Sequence, residues 1–179
     1  MRRHRFGRIS LRQQKGSGSE TENARSKTNV IRILEQNGIE HDSYFYGNGE
    51  PASGTEVAEL LGEDPDIVFK TLVTQGHSGE HYVFMVPVRC ELDLKKAASA
   101  VGEKSIAMIR AKELLPLTGY VHGGCSPIGM KKQFRTVADE TATLFDVIMF
   151  SGGRIGCQVK MSPSDLEKLI PLTYSDITV

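Results

Sequence analysis

Apolar residues along this chain fall into short runs that alternate between two periods. Val30, Ile31, Ile33 and Leu34 repeat at the spacing of one helix face, with Ser26 placed to cap its start and Gly38 to close it. Residues 41–46 then read as a strand, and the Gly/Asn/Pro/Ser stretch 47–54 as a loop. A short helix carrying Val57, Leu60 and Leu61 follows, with Thr55 as its predicted cap and Gly62 at its end. Beyond Asp64-Pro65, residues 67–73 form a strand rich in β-branched side chains. A turn over 75–80 returns it as a second apolar strand, 81–88. The pattern next predicts a helix over 93–101, a strand over 106–109 and a short helix over 112–115 that Pro116 stops. Strands follow from Tyr120 and over 134–137, 147–150 and 155–160, and Ser162-Pro163-Ser164-Asp165 opens a last helix. Strands outnumber helices and short turns join most of them. This predicts an α+β domain, a curved mixed sheet with helices packed against it.

The first 25 residues break the pattern. Their apolar content is little more than Phe6, Ile9 and Leu11, so 1–25 is expected to be an unstructured basic tail and 26–179 the folded domain. A chain of 179 residues, 39% of them hydrophobic, suits one core. The formal net charge of zero hides an asymmetry. Seven basic residues stand against two acidic ones in 1–25, a net +5, which leaves the remainder at −5. Broad binding along a nucleic-acid backbone is therefore excluded for the body, which would need a local patch or a polymer end. The arginine-rich start lacks the apolar stretch of a secretory signal, and Gly16-Ser17-Gly18-Ser19 reads as a linker. An organelle transit peptide or an RNA-touching arm are the other readings of that segment. No apolar run approaches a bilayer's thickness, so no membrane partner is expected and the cytoplasm is the default location. Cys90, Cys125 and Cys157 are odd in number and contain no C-x-x-C pair, which argues against a disulfide framework and a structural zinc site. No metal or cofactor is expected.

Lys70 is the first candidate for chemistry. Strand alternation places it on the face of Val68 and Leu72, an ammonium among apolar side chains that must reach solvent, a carboxylate or a phosphate. It is either a snorkelling edge lysine or a cation at the mouth of a pocket. The second candidate is the loop Gly123-Gly124-Cys125-Ser126-Pro127-Ile128-Gly129, where bare backbone lets a ligand lie against main-chain N–H groups; a tight structural turn is the competing reading. It is neither a serine-hydrolase elbow nor a phosphate-binding P-loop, since Pro127 follows the serine without an N–H and no G-K-[ST] closes it. Cys125 has no neighbouring base, and His122 is not diagnostic. His77 and His81 flank a turn without a third ligand. Lys131, Lys132 and Arg135, with Lys95 and Lys96, form either a basic patch or a solvated surface.

At Phe69-Lys70-Thr71-Leu72, Leu94 to Ala98, the Gly123–Gly129 loop and Ser151-Gly152-Gly153, the chain resembles the YbaK-type Cys-tRNA(Pro) deacylases. These belong to the superfamily of prolyl-tRNA-synthetase-associated editing domains, and the resemblance spans residues 27–179 in consistent order. It implies a mixed, barrel-like sheet with flanking helices. It also implies an aminoacyl-tRNA deacylase that removes cysteine from tRNA(Pro), and also Cys-tRNA(Cys), in trans. Its substrate is the 3′ aminoacyl end, and a transient complex with prolyl-tRNA synthetase goes with it. Carried over by position, Lys70 matches the pocket lysine, Tyr46 the pocket tyrosine and Gly123 the substrate-contacting glycine. Gly124, Ser126 and Pro127 share that loop, and Ser151 lies on the second turn. Gln158 stands where some relatives carry an acid, and Cys125 where an aliphatic residue is more usual. The family mechanism needs no protein nucleophile, because the substrate's thiol attacks its own ester and leaves as a cyclic thiolactone, a lyase-like step. A deacylase for alanine or another small amino acid, and a non-catalytic tRNA- or synthetase-binding module, are the alternatives.

Overall fold

The computed structural model describes residues 26–179, and the segment expected to be a basic tail lies outside the described residues. The elements run α1 (Asn29–Gln36), β1 (His41–Phe45), α2 (Gly54–Leu61), β2 (Phe69–Gly76), β3 (His81–Pro87), α3 (Leu94–Val101), β4 (Ile106–Met108), α4 (Ala111–Thr118), β5 (Arg135–Asp139), β6 (Ile148–Ser151), β7 (Cys157–Met161), α5 (Pro163–Leu166) and β8 (Leu172–Ser175). Short 3-10 turns occupy Pro65–Ile67 and Glu140–Leu144.

Capping chemistry moves two predicted helix starts. Thr28, not Ser26, caps α1, because its hydroxyl accepts the Ile31 N–H at 3.2 Å. Ser53 rather than Thr55 caps α2: its hydroxyl accepts the Glu56 N–H while the Glu56 carboxylate accepts the Ser53 N–H at 2.7 Å. That reciprocal pair is a capping box, and it fixes the helix start two residues earlier than predicted. Pro116 does not stop α4, which continues to Thr118. The helix begins only at Ala111, so the proline removes a single intrahelical bond, to the Lys112 carbonyl, and both residues are exposed, so that carbonyl is open to solvent. Tyr120 does not begin a strand. Its ring is buried and its hydroxyl donates to the Ile128 carbonyl, which closes the glycine loop on itself.

The strands form two sheets, one of three strands in the order β1-β7-β6 and one of five in the order β4-β2-β3-β5-β8. The small sheet is antiparallel, whereas in the large one β3–β5 and β5–β8 are parallel. Among the described residues a single bridge, from Val68 just before β2 to Met149, ties the large sheet to β6. No pairing closes a barrel among the described residues. Strand β3 is buried on both faces, and its alternation divides the core. Val83 and Met85 join Phe69 and Val73 against α1 and the small sheet's Phe150, Val159 and Met161. Phe84 and Val86 face α3 through Ala97, Ala98 and Val101. The result is α3, large sheet, then small sheet with α1, each layer burying an apolar face.

A third, smaller cluster packs Ala58 of α2 on Val68 and Met149. Beside it, Lys160 of β7 pairs with Glu63 at 2.7 Å, both side chains 18% exposed, and its ammonium lies 5.5 Å from the Tyr44 ring centroid. Burial alone would lower the Lys160 pKa, but the Glu63 carboxylate and Tyr44 outweigh it and hold it above the ordinary lysine value. A raised folded-state pKa contributes stability below the unfolded value, about 10.4, and loses it as pH climbs through the folded one. Glu63→Gln should therefore cost about 1–3 kcal/mol at neutral pH, between surface and fully buried pairs. Denaturant melts should show this deficit shrinking above pH ~10.4; a pH-independent deficit would exclude the ion pair as its cause.

Candidate active site

Between the two sheets lies a cleft of about 440 Å³. One wall is Val68 and the first part of β2, to Val73; opposite stand Tyr46 after β1, Ser151 at the end of β6, and Gln158 on β7. The N-terminal end of α2, the segment Met108 to Ala111, and the loop residues His122, Gly123 and Cys125 complete it. The sequence brings Lys70 and Gly123 to this one cavity from distant positions. Its lining holds Lys70, Arg110 and His122 but no aspartate or glutamate, although the body outside the first 25 residues carries a net −5.

Lys70 is held by the β2–β3 ladder opposite Val86. Its ammonium lies 3.3 Å from the Glu91 carboxylate, but the Glu91 side chain is 81% exposed, so the pair is weak and the cation remains available. Tyr46 is fixed by its backbone N–H to the Gly156 carbonyl at 2.9 Å. Burial raises its hydroxyl's pKa, so it stays a protonated donor at neutral pH. The Gln158 side-chain amide donates to that hydroxyl at 3.4 Å, while its buried carbonyl oxygen has no partner among the described residues. The buried hydroxyl of Thr71 also has none among them. Two unpartnered polar atoms on one cavity's lining residues are unusual in a folded chain and suit groups that a ligand or ordered water completes.

The glycine loop divides in two. Gly123, at φ +85°, is exposed on the cleft, and neither its N–H nor that of Cys125 donates to a group among the described residues. Such N–H groups can receive developing negative charge. Gly124, Ser126 and Pro127, expected at the substrate, are buried and do not line the cavity. The Gly124 N–H is taken by the Val121 carbonyl at 3.0 Å, and the Ser126 hydroxyl accepts the Ile128 N–H at 3.3 Å. These three residues shape the loop that presents Gly123. Ser151 lines the cleft, 8% exposed, and its hydroxyl accepts the Gly153 N–H at 3.2 Å. Burial pushes the Cys125 thiol up to about 12, which keeps it protonated and a poor nucleophile.

Three of the basic residues outside the cleft have partners of their own. Arg135 donates to the Ala100 carbonyl at 3.2 Å and so closes the end of α3. Lys96 pairs with Asp176 at 2.8 Å, and Lys132 sits 5.7 Å from the Phe134 ring centroid. The cleft's cations are instead Lys70 and Arg110. Arg110, Thr71 and His122 were not visible as site residues, since Arg110 reads as an ordinary charge before a helix. His77 and His81 are not joined by further ligands: no three His, Cys, Asp or Glu side chains are grouped to hold a metal ion among the described residues. No helix among them is long and apolar enough to cross a membrane.

Residues 50–169 match the family model described as the aminoacyl-tRNA editing domain. The chain is 41% identical over 153 residues to an Enterococcus faecalis protein provisionally named Cys-tRNA(Pro)/Cys-tRNA(Cys) deacylase EbsC, over 85% of this chain and 93% of that one. It is also 33% identical over 84 residues to a proline–tRNA ligase of Trichlorobacter lovleyi, 47% of this chain but 15% of the ligase. Among solved structures, a protein provisionally described as a trans-editing enzyme for prolyl-tRNA synthetase superposes with a TM-score of 0.73. That match has 24% identity over 86% of this chain and 99% of that one, a likeness of fold.

Proposed function

The chain belongs to the aminoacyl-tRNA editing domain family, and from that premise we propose that it strips wrongly attached cysteine from tRNA(Pro), with Cys-tRNA(Cys) a further substrate. The observation that carries the reading is the cleft whose lining brings together Lys70 and Gly123, whose N–H is unengaged among the described residues, and holds no aspartate or glutamate. The 3′ aminoacyl end of a tRNA offers an ester, a small side chain and a phosphate together, and a polymer end suits a cavity on a body of net negative charge. The Enterococcus relative, named for both substrates, supports the same reading.

In this reading the cysteine thiolate of the substrate attacks its own carbonyl carbon, the bond from that carbon to the ribose oxygen breaks, and the ribose oxygen takes a proton. A cyclic thiolactone leaves, which water then opens. The chain positions the ester and stabilises the oxyanion through the Gly123 and Cys125 N–H groups and Lys70. Tyr46 donates from its protonated hydroxyl, Ser151 bounds the amino-acid side, and Gly124, Ser126 and Pro127 hold the loop. Residues 26–179 act as one editing domain in the cytoplasm. The ligase match, covering a segment of a prolyl-tRNA synthetase, supports a transient complex with that enzyme.

Matched Cys-, Ser- and Ala-tRNA(Pro) test the reading. Cysteine should be released roughly tenfold or more faster than serine, since an intrinsically strong nucleophile is replaced by a weak one in the same shape. Preferred release of alanine would make the chain a small-amino-acid deacylase, and release of none would make it a binding module.

A further inference from the structure

A second cleft, of about 310 Å³, lies beside the first. The two share one wall, the consecutive residues Met108, Ile109 and Arg110. Three residues of chain span roughly 10 Å at most, so the two clefts are close neighbours. The second cleft is polar where the first is largely apolar: Gln75, His77, Ser105 and Glu113 line it. Glu113 is already engaged, its carboxylate accepting the Arg110 backbone N–H at 2.8 Å. The guanidinium of Arg110 makes no hydrogen bond or ion pair among the described residues, and Met108, on the same wall, is 48% exposed.

We propose that this second cleft is a nucleotide subsite: it holds the ribonucleotide that precedes the terminal adenosine of the substrate, and Arg110 on the shared wall binds the phosphate joining the two. The inference rests on the editing reading of the first cleft. An aminoacyl ester seated there must send its polynucleotide out past one wall. The wall that carries an unpaired guanidinium, with another cavity directly behind it, is the one matched to a phosphodiester. Guanidinium pairs with phosphate through two parallel N–H bonds, and the exposed Met108 side chain offers an apolar platform for a base. A short site of this kind also suits a body whose net charge forbids wide backbone contact.

Two 3′-cysteinyl esters test it, one of adenosine and one of the dinucleotide cytidylyl-adenosine. The dinucleotide ester should be cleaved about 10- to 100-fold more efficiently, the range of a charge-assisted bond. Arg110→Ala, and Ala107→Phe, which fills the second cleft, should each collapse that ratio towards one. Binding of the uncharged dinucleotide and of adenosine, followed by calorimetry, gives a readout independent of ester cleavage. Tighter dinucleotide binding that Arg110→Ala abolishes, with no ester cleaved, would support the subsite and refute the deacylase reading. Equal binding of dinucleotide and adenosine, or a ratio untouched by both variants, would overturn the subsite even in an active deacylase.

Discussion

Replacing Lys70 with alanine should lower kcat/KM for Cys-tRNA(Pro) by about 100- to 1,000-fold, the loss typical of one donor to a developing oxyanion. The fold should not follow. Lys70 touches one charged partner, the exposed carboxylate of Glu91 at 3.3 Å, and such surface pairs contribute about 0–1 kcal/mol. The position of β2 is set by its backbone ladder to β3 and by Phe69 and Val73 in the core, none of which the substitution alters. Turnover and thermal melting of the same preparation separate the two effects. Lys70→Arg keeps the charge but changes its reach and shape, and should recover only part of the rate. Unimpaired turnover by Lys70→Ala would remove the lysine from the chemistry altogether.

Gly124→Ala tests the loop rather than the cation. A Cβ at Gly124 would stand 2.9 Å from the Ile155 nitrogen and 3.1 Å from the Arg154 carbonyl carbon, both main-chain atoms that cannot swing aside. The loop must shift as a unit, and Gly123 moves with it. Overpacking of this kind costs about 1–3 kcal/mol in stability. A displacement near 1 Å of a positioning group costs roughly 100-fold in rate, so activity should fall further than stability predicts. Well-melting protein with full activity would show that the Gly123 N–H does not receive the oxyanion. At Gly123 itself the nearest atoms are 3.6 Å away on the Ile155 side chain, so alanine there meets backbone strain at φ +85° rather than a clash.

The hairpin of β2 and β3 was legible because β-branched runs and a polar turn specify it locally. The three-to-four spacing of Val30, Ile31 and Leu34 gave α1 in the same way. Less local features were not legible. Parallel pairing of β3 with β5 and of β5 with β8 joins segments far apart in the chain, and no turn signal marks it. Strand β8 was missed outright: its residues are partly exposed and it lies at a sheet edge. Lys70 and Gly123 stood out as residue types, but their shared cavity depends on how two sheets stack. Arg110 could not be singled out, because an exposed arginine gains meaning only from the cleft on either side of it. Ser126 and Pro127 had the opposite fate: conspicuous in sequence, they are buried in their loop and do not line the cavity.

The cavity's two walls belong to separate hydrogen-bonded ladders, and among the described residues one backbone bridge, Val68 to Met149, joins them. Met149 is fully buried and does not line the cavity, yet it sets the spacing at that join. The width offered to an amino-acid side chain is therefore set by how the two ladders pack, through Met149 at the join and the buried side chains between them. Discrimination between side chains of slightly different size can then drift through changes at a position that no substrate ever touches.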